Sequence, residues 1–156
     1  MIDIRIQQDP FDPEAEQRAL RTGQTRIGAL VAFVGLMRDR NAGDDVRAMT
    51  LEHYPGMTER ALAGIADEAS ARWSIDRLLI IHRVGKLLPE DPIVLVAVTS
   101  SHRGDAFRAC EFLIDYLKAR APFWKKETLA DGRERWVEAR ASDADAVAAW
   151  AGRQDE

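Results

Sequence analysis

The chain reads as an α+β protein with a largely antiparallel or mixed sheet. Three observations predict that class. Segments such as IDIRIQ at 2–7 and VRAMTLEHY at 46–54 alternate apolar and polar residues with period two, as strands do. Two long segments, 55–73 and 103–120, carry apolar residues at helical spacing instead. The order mixes hairpin-like pairs with single helices, so it is not a regular strand–helix alternation.

Each element has its own local reason. IDIRIQ is the first strand. Asp12 caps and Pro13 opens a short helix to about Thr22, because aspartate satisfies free N–H groups and proline suits a first turn. Residues 27–37, IGALVAFVGLM, are apolar and rich in Val and Leu, which predicts a buried strand. RDRNAGDD at 38–45 is a polar loop, and 46–54 reads as the returning strand of a hairpin. Pro55 starts a helix to about Trp73, with Met57, Ala61, Leu62, Ile65 and Ala69 as its apolar stripe. LLIIHRVG at 78–85 and IVLVAVTS at 93–100 are further strands, joined through Pro89 and Pro92.

The second long helix runs from about Arg103 to Arg120. Ala106, Cys110, Leu113 and Leu117 form one face, with Phe107 and Ile114 beside it, and Pro122 ends the helix. Phe123 to Thr128 and Arg133 to Glu138 flank an Asp-Gly turn and form a hairpin. Ser142 caps a short last helix ending near Trp150.

Composition narrows the function. A chain of 156 residues, 46% hydrophobic and 31% charged, fits one soluble domain spanning 1–156. No apolar run approaches the ~20 residues that cross a bilayer, so no membrane role is expected. The N-terminal segment lacks the apolar core of a signal peptide. The single cysteine, Cys110, leaves no internal disulfide and no multi-cysteine metal cage, and a cytoplasmic location is the simplest. The net charge of −4 argues against a general nucleic-acid binder. Cys110 falls on the apolar stripe of its helix and is expected to pack as a small hydrophobe. His53, His82 and His102 lie on separate elements without metal-ligand spacing, and His53 and His82 fit as hydrogen-bonded strand residues.

Positive charge nevertheless collects locally. Lys118, Arg120, Lys125 and Lys126 surround the stiff turn Pro122-Phe123-Trp124, with no acid between 118 and 126. In a strand Lys125 and Lys126 point to opposite faces, so at most one joins Lys118, and Lys125 is favoured. Cations held close disfavour each other's charge, which is one way to prime a lysine. The structural alternative is a helix C-terminus and an edge strand protected by lysines. SSHRGD at 100–105 opens the same helix, where free N–H groups with His102 and Arg103 suit an anion or simply an exposed cap. Arg38 sits where a strand runs into a loop, a frequent place for functional side chains. Arg103 and Lys118 are separated by roughly 22 Å at the helical rise. There are then two anion sites, or one shared across a two-fold dimer.

These residues carry a resemblance. FVGLMRDRNAGDDV at 33–46, LEHYPGMTERAL at 51–62, IHRVGKL at 81–87, VAVTSSHRGDAF at 96–107, DYLKARAPFWKKE at 115–127 and RWVEAR at 135–140 are together similar to the catalytic (large) subunit family of molybdopterin synthase. The resemblance implies an α/β-hammerhead-type fold with an extra β-hairpin subdomain. It implies a homodimer at the centre of a heterotetramer, with a small ubiquitin-like sulfur-carrier subunit at each end. The carrier's C-terminal Gly-Gly thiocarboxylate would supply sulfur to cyclic pyranopterin monophosphate, giving the dithiolene of molybdopterin, with no metal or cofactor on the large subunit. The family's catalytic lysines fall on Lys118 and Lys125. Its substrate-contacting positions fall on Leu36, Met37, Arg38, His102, Arg103, Lys126 and Glu127, with Phe33 and Arg140 near the pocket. Two other readings remain: a non-catalytic module holding a phosphorylated ligand or ubiquitin-like tail, and a small RNA-binding domain, which the net charge of −4 weighs against.

Overall fold

The computed structural model describes residues 1–138 and 141–152. Its strands divide between two sheets. The first has the order β1-β5-β7-β2, built from β1 (Ile2–Gln7), β2 (Ala29–Leu36), β5 (Arg77–Arg83) and β7 (Pro92–Ser100). β1 runs parallel to β5 and the other pairs are antiparallel. The second has the order β3-β4-β8-β9, with β3 (Arg40–Asn41), β4 (Asp44–His53), β8 (Phe123–Leu129) and β9 (Glu134–Val137); β6 (Gly85–Leu87) also pairs with β4.

The central strands explain why the first sheet is the core. β5 and β7 are buried along nearly their whole length, so alternate residues feed opposite faces. Leu78, Ile80, Val94, Val96 and Val98 meet α2 (Met57–Arg72) and α3 (Arg103–Arg120) through Leu62, Ile65, Phe112 and Leu113. Leu79, Ile81, Leu95 and Ala97 face the other way, toward Leu20 of α1 (Pro13–Arg21). α4 (Ala141–Ala151) packs on α3, and Trp150 closes an aromatic group with Trp73 and Phe112. Met37, Met49, Leu51, Leu87 and Leu129 form a smaller core at the second sheet.

Several sequence expectations need correction. The segment 46–54 is a strand, but its partner is not the strand before it. β2 spends its ladder on β7, from Ala29 opposite Ser100 onward, while β4 pairs with β3, β6 and β8. The supposed loop contains its own tight hairpin: Asn41 pairs with Asp44, and Ala42 and Gly43 both hold positive φ (51° and 82°) as such turns demand. β2 is also not buried. As an edge strand it leaves Phe33 37% and Leu36 54% exposed. α2 begins at Met57, which is exposed, and Thr58 and Ala66 join Leu62, Ile65 and Ala69 in the buried face. Phe107 is likewise exposed. Ser142 lies inside α4, one residue beyond its start.

Candidate functional site

A cavity of about 330 Å³ opens where the two sheets meet. Its wall is assembled from distant segments. The last turn of α3 brings Lys118, and the helix stops two residues later because Pro122 cannot continue it. β8 brings Phe123, Lys125 and Glu127, which share one face by strand alternation. The segment after β2 brings Leu36, Met37 and Arg38.

The turn between α3 and β8 is anchored on both sides. Buried Thr58 donates its hydroxyl to the Pro122 carbonyl at 3.1 Å and accepts from the Tyr54 N–H at 3.1 Å. Trp124 donates its indole N–H to Glu52 at 2.9 Å and meets Tyr54 edge-on at 4.8 Å. Phe123 stacks on the His82 ring at 3.9 Å. The Met37 backbone is held by the β6–β7 connection: its N–H donates to Asp91 O at 3.0 Å and its carbonyl accepts from Glu90 N–H at 2.9 Å. This places Arg38, exposed and on the cavity wall, at the edge of the opening.

The two lysines of β8 part company. Lys125 lines the cavity with Lys118. Lys126 points away, 3.4 Å from Glu134 and 5.6 Å from the centre of the Trp136 ring. Glu127 reaches the cavity wall but is already engaged. It is buried, with Arg135 donating to one carboxylate oxygen at 3.0 Å and Asn41 to the other at 3.0 Å. Arg135 also donates to Asp44 at 2.7 Å and to the Asn41 carbonyl at 3.0 Å. Glu127 is therefore a clamp between β8, β9 and the β3–β4 turn, and its charge is compensated within the wall.

Phe33 stands on the exposed edge of β2, away from this cavity wall. His102 and Arg103 stand at the other end of α3, exposed, where β7 ends and the helix begins. His102 takes the extended conformation of a cap, and its N–H donates to Ser100 Oγ at 3.2 Å. Lys118 and the His102–Arg103 pair thus do not meet within one subunit. Arg140 lies outside the described residues. Cys110 is buried, and burial pushes its thiol up to about 11, which suits packing rather than reaction.

His82 is a hydrogen-bonded strand residue, as the sequence suggests, with Nδ1 2.8 Å from the Arg83 carbonyl, but the sequence gives no sign of its place on the cavity wall. It lies on β5 among buried residues and lines the cavity. Burial is the main cause that brings its pKa down to about 4; the hydrogen bond to Arg83 opposes this, and the charges of Lys118 and His53 add to it. No spacing in the sequence marks it, because its neighbours arrive from other segments. Among the described residues, no group of three His, Cys, Asp or Glu side chains is placed to hold a metal ion, and no helix is long and apolar enough to cross a membrane.

Comparison with known proteins identifies the family and the fold. The MoaE protein family model matches residues 6–120. The chain belongs to the MoaE family. It is 60% identical over 147 residues to the molybdopterin synthase catalytic subunit of Ralstonia nicotianae, covering 94% of this chain and 83% of that one. A solved molybdopterin biosynthesis MoaE protein from Burkholderia ambifaria MC40-6 is 59% identical with a TM-score of 0.81, covering 97% of this chain and 99% of the other. Molybdopterin synthase from Staphylococcus aureus, at 36% identity, superposes with a TM-score of 0.77, covering 86% of this chain and 96% of that one. The fold is thus that of the MoaE structures, an α+β arrangement with two sheets and a hairpin, β8–β9, ahead of the last helix.

Proposed function

We propose that this chain is the catalytic subunit of a molybdopterin synthase. It moves sulfur from the C-terminal thiocarboxylate of a small ubiquitin-like carrier subunit onto cyclic pyranopterin monophosphate, building the dithiolene of molybdopterin. The observation that carries this reading is the convergence of Lys118 and Lys125, from a helix end and a strand, on one cavity of about 330 Å³. That volume suits a small ligand, and the chain's relatives are molybdopterin synthase catalytic subunits.

The chemistry asks for fixed positive charge. The substrate carries a phosphate, the carrier ends in an anion, and negative charge develops on the carrier's carbonyl oxygen as its carbon–sulfur bond is exchanged. Cations set in a partly dry wall stabilise that charge without reorganising at the moment of reaction. Lys118 serves the carrier's terminal carbonyl as polarising group or general acid/base. Lys125 serves the pterin and assists the departing oxygen. Leu36, Met37 and Arg38 form the substrate side of the opening. Glu127 acts through the wall it holds, and Lys126, turned outward, contributes charge only at a distance.

His102 and Arg103 enter from a second copy. The length of α3 separates them from Lys118, so a homodimer that sets one subunit's helix start beside the other's helix end completes the site with a phosphate-binding pair. With a carrier at each end, the assembly is a heterotetramer. Phe33 and Arg140 are assigned to the neighbourhood of the pocket from the family resemblance. The cytoplasm, where a lone buried cysteine stays reduced, is the compartment this reading takes.

The test is a single-turnover reaction of the purified chain with thiocarboxylated carrier and cyclic pyranopterin monophosphate, with the plain carboxylate carrier as control. Molybdopterin formed only with the thiocarboxylate supports the proposal. No product from folded protein that binds the carrier overturns it and leaves a binding module.

A further inference from the structure

Arg83 ends β5 with its side chain only 9% exposed, and it does not line the cavity. Nε and Nη2 both donate to the Gln8 carbonyl, at 3.1 and 2.9 Å, which fixes the plane of the guanidinium just beyond β1. The remaining nitrogen, Nη1, faces the Asp91 carboxylate at 3.6 Å. A buried guanidinium needs a counter-charge, and among the described residues Asp91 is the carboxylate within ion-pair distance of it. Asp91 also closes a turn. Its Oδ2 accepts the Leu88 N–H at 2.8 Å, and its own N–H donates to the Leu88 carbonyl at 3.0 Å. In that turn, Leu88-Pro89-Glu90-Asp91, a proline is followed by a positive φ of 77° at Glu90. This is the pattern of a type II turn, where glycine is the usual third residue. A glutamate persists there only because its surroundings hold it.

The turn also grips the substrate side of the cavity. Pro92 has no N–H to give, and the β2–β7 ladder shifts register between Gly35 and Leu36. Met37 is caught just beyond, between the Glu90 N–H and the Asp91 carbonyl, and its side chain is buried in the smaller core. Arg38 is the next residue, so its starting point is set by that grip. We infer that Arg83 is a positioning residue for Arg38. Through Asp91 it fixes the turn at 88–91, and the turn fixes the Met37 backbone from which Arg38 reaches the cavity wall. The effect on pterin binding rests on the proposed function, whereas the chain of contacts from Arg83 to Met37 stands apart from it.

The first readout needs no activity. Amide hydrogen exchange in the full chain follows Met37 and Glu90, whose N–H groups join the turn to the end of β2. Arg83→Met keeps the stem and removes one charge. Asp91→Asn keeps an oxygen for the Leu88 N–H and removes the other. Each should speed exchange at Met37 and Glu90 about 3- to 10-fold, and the double variant should be no faster than the faster single one, as a shared link requires. If Arg83 only anchors the chain after β1, exchange rises instead at Val84, whose N–H is held by Gln7, and Met37 and Glu90 stay as in wild type. That result overturns the inference, and so do additive effects in the double variant. The second readout uses the substrate. Each variant should weaken binding of cyclic pyranopterin monophosphate about 3- to 10-fold, while single turnover at saturating pterin stays within about threefold. Arg83→Lys, which restores the charge without the planar fork, should recover part of the affinity. Wild-type affinity in both charge-removing variants also overturns the inference. If wild-type protein makes no molybdopterin, the proposed function fails and exchange at Met37 and Glu90 still decides the positioning. If Arg83→Met does not fold, Arg83→Lys and Asp91→Asn are read at the same two amides by the same criteria.

Discussion

Asn41 and Glu127, 86 positions apart in the chain, are joined by a 3.0 Å hydrogen bond from the asparagine amide to the buried carboxylate. The same carboxylate receives Arg135 at 3.0 Å. The bond ties the β3–β4 turn to the strand that carries Lys125. Glu127→Ala leaves Arg135 with Asp44 but removes the centre of the network. The expected cost is about 2 kcal/mol, read in urea unfolding. Faster amide exchange at Arg40–Asp44 should accompany it, and unchanged exchange there would show that the clamp does not hold the turn.

The two faces of β8 make a sharp contrast. Lys125→Ala should cut sulfur transfer by at least about 100-fold, as expected when a preorganised charge is removed. Lys126→Ala should leave the rate within about threefold, because its partners Glu134 and Trp136 stand on the other face. Comparison of pterin binding with turnover divides the role of Lys125. Equal losses in both indicate positioning, and a larger loss in turnover indicates chemistry.

This contrast was readable from the sequence, because period-two alternation alone separates adjacent lysines. The extent of α3 was readable too, from its apolar stripe and from Pro122. The partner of residues 46–54 was not. Pairing is a long-range choice, and local pattern cannot reveal that β2 already has β7 as its partner. An apolar edge strand also imitates a buried one, which is why 27–37 read as interior. His82 was hidden for the same reason as the sheet order. A single histidine among Leu and Ile carries no spacing, and Phe123, which stacks on it, arrives from a distant strand.

Thr58 should matter more than its distance from the lysines implies. Its hydroxyl bridges the Tyr54 N–H and the Pro122 carbonyl, and the side chain is fully buried. Thr58→Val keeps the shape and strands both groups. A loss of about 1–3 kcal/mol is expected in chemical denaturation, with a smaller fall in transfer rate as the turn before Lys125 loosens. A variant as stable as wild type would mean that water replaces the hydroxyl.

Acid should weaken the protein through His82. Its value in the folded state is about 4 against an ordinary 6.5, because burial disfavours the cation. Between those values the unfolded chain holds a proton that the folded chain refuses. The contribution is therefore complete above pH 6.5 and is lost as the pH falls through about 4. The full difference amounts to about 3 kcal/mol. Urea unfolding of wild type and His82→Phe at about pH 7 and pH 4.5 checks this. The stability gap should shift toward the variant at the lower pH, and a gap independent of pH would contradict it.

The proposed sharing of the site between subunits makes a mixing prediction. Lys118→Ala and Arg103→Ala homodimers should each be nearly inactive. Exchanging their subunits should restore about a quarter of the wild-type sites, since random mixing makes half the dimers hybrid and one site of each hybrid is intact. Activity that stays absent after verified exchange would place both residues in the same subunit's site or remove one of them from it.

The most direct measurement is single turnover with Lys118→Ala beside wild type, after thermal unfolding and carrier binding have been shown to match. Molybdopterin from the wild type and almost none from the variant is the expected result, and it places the chemistry in the cavity that Lys118 enters. A variant that turns over at the wild-type rate would contradict that placement.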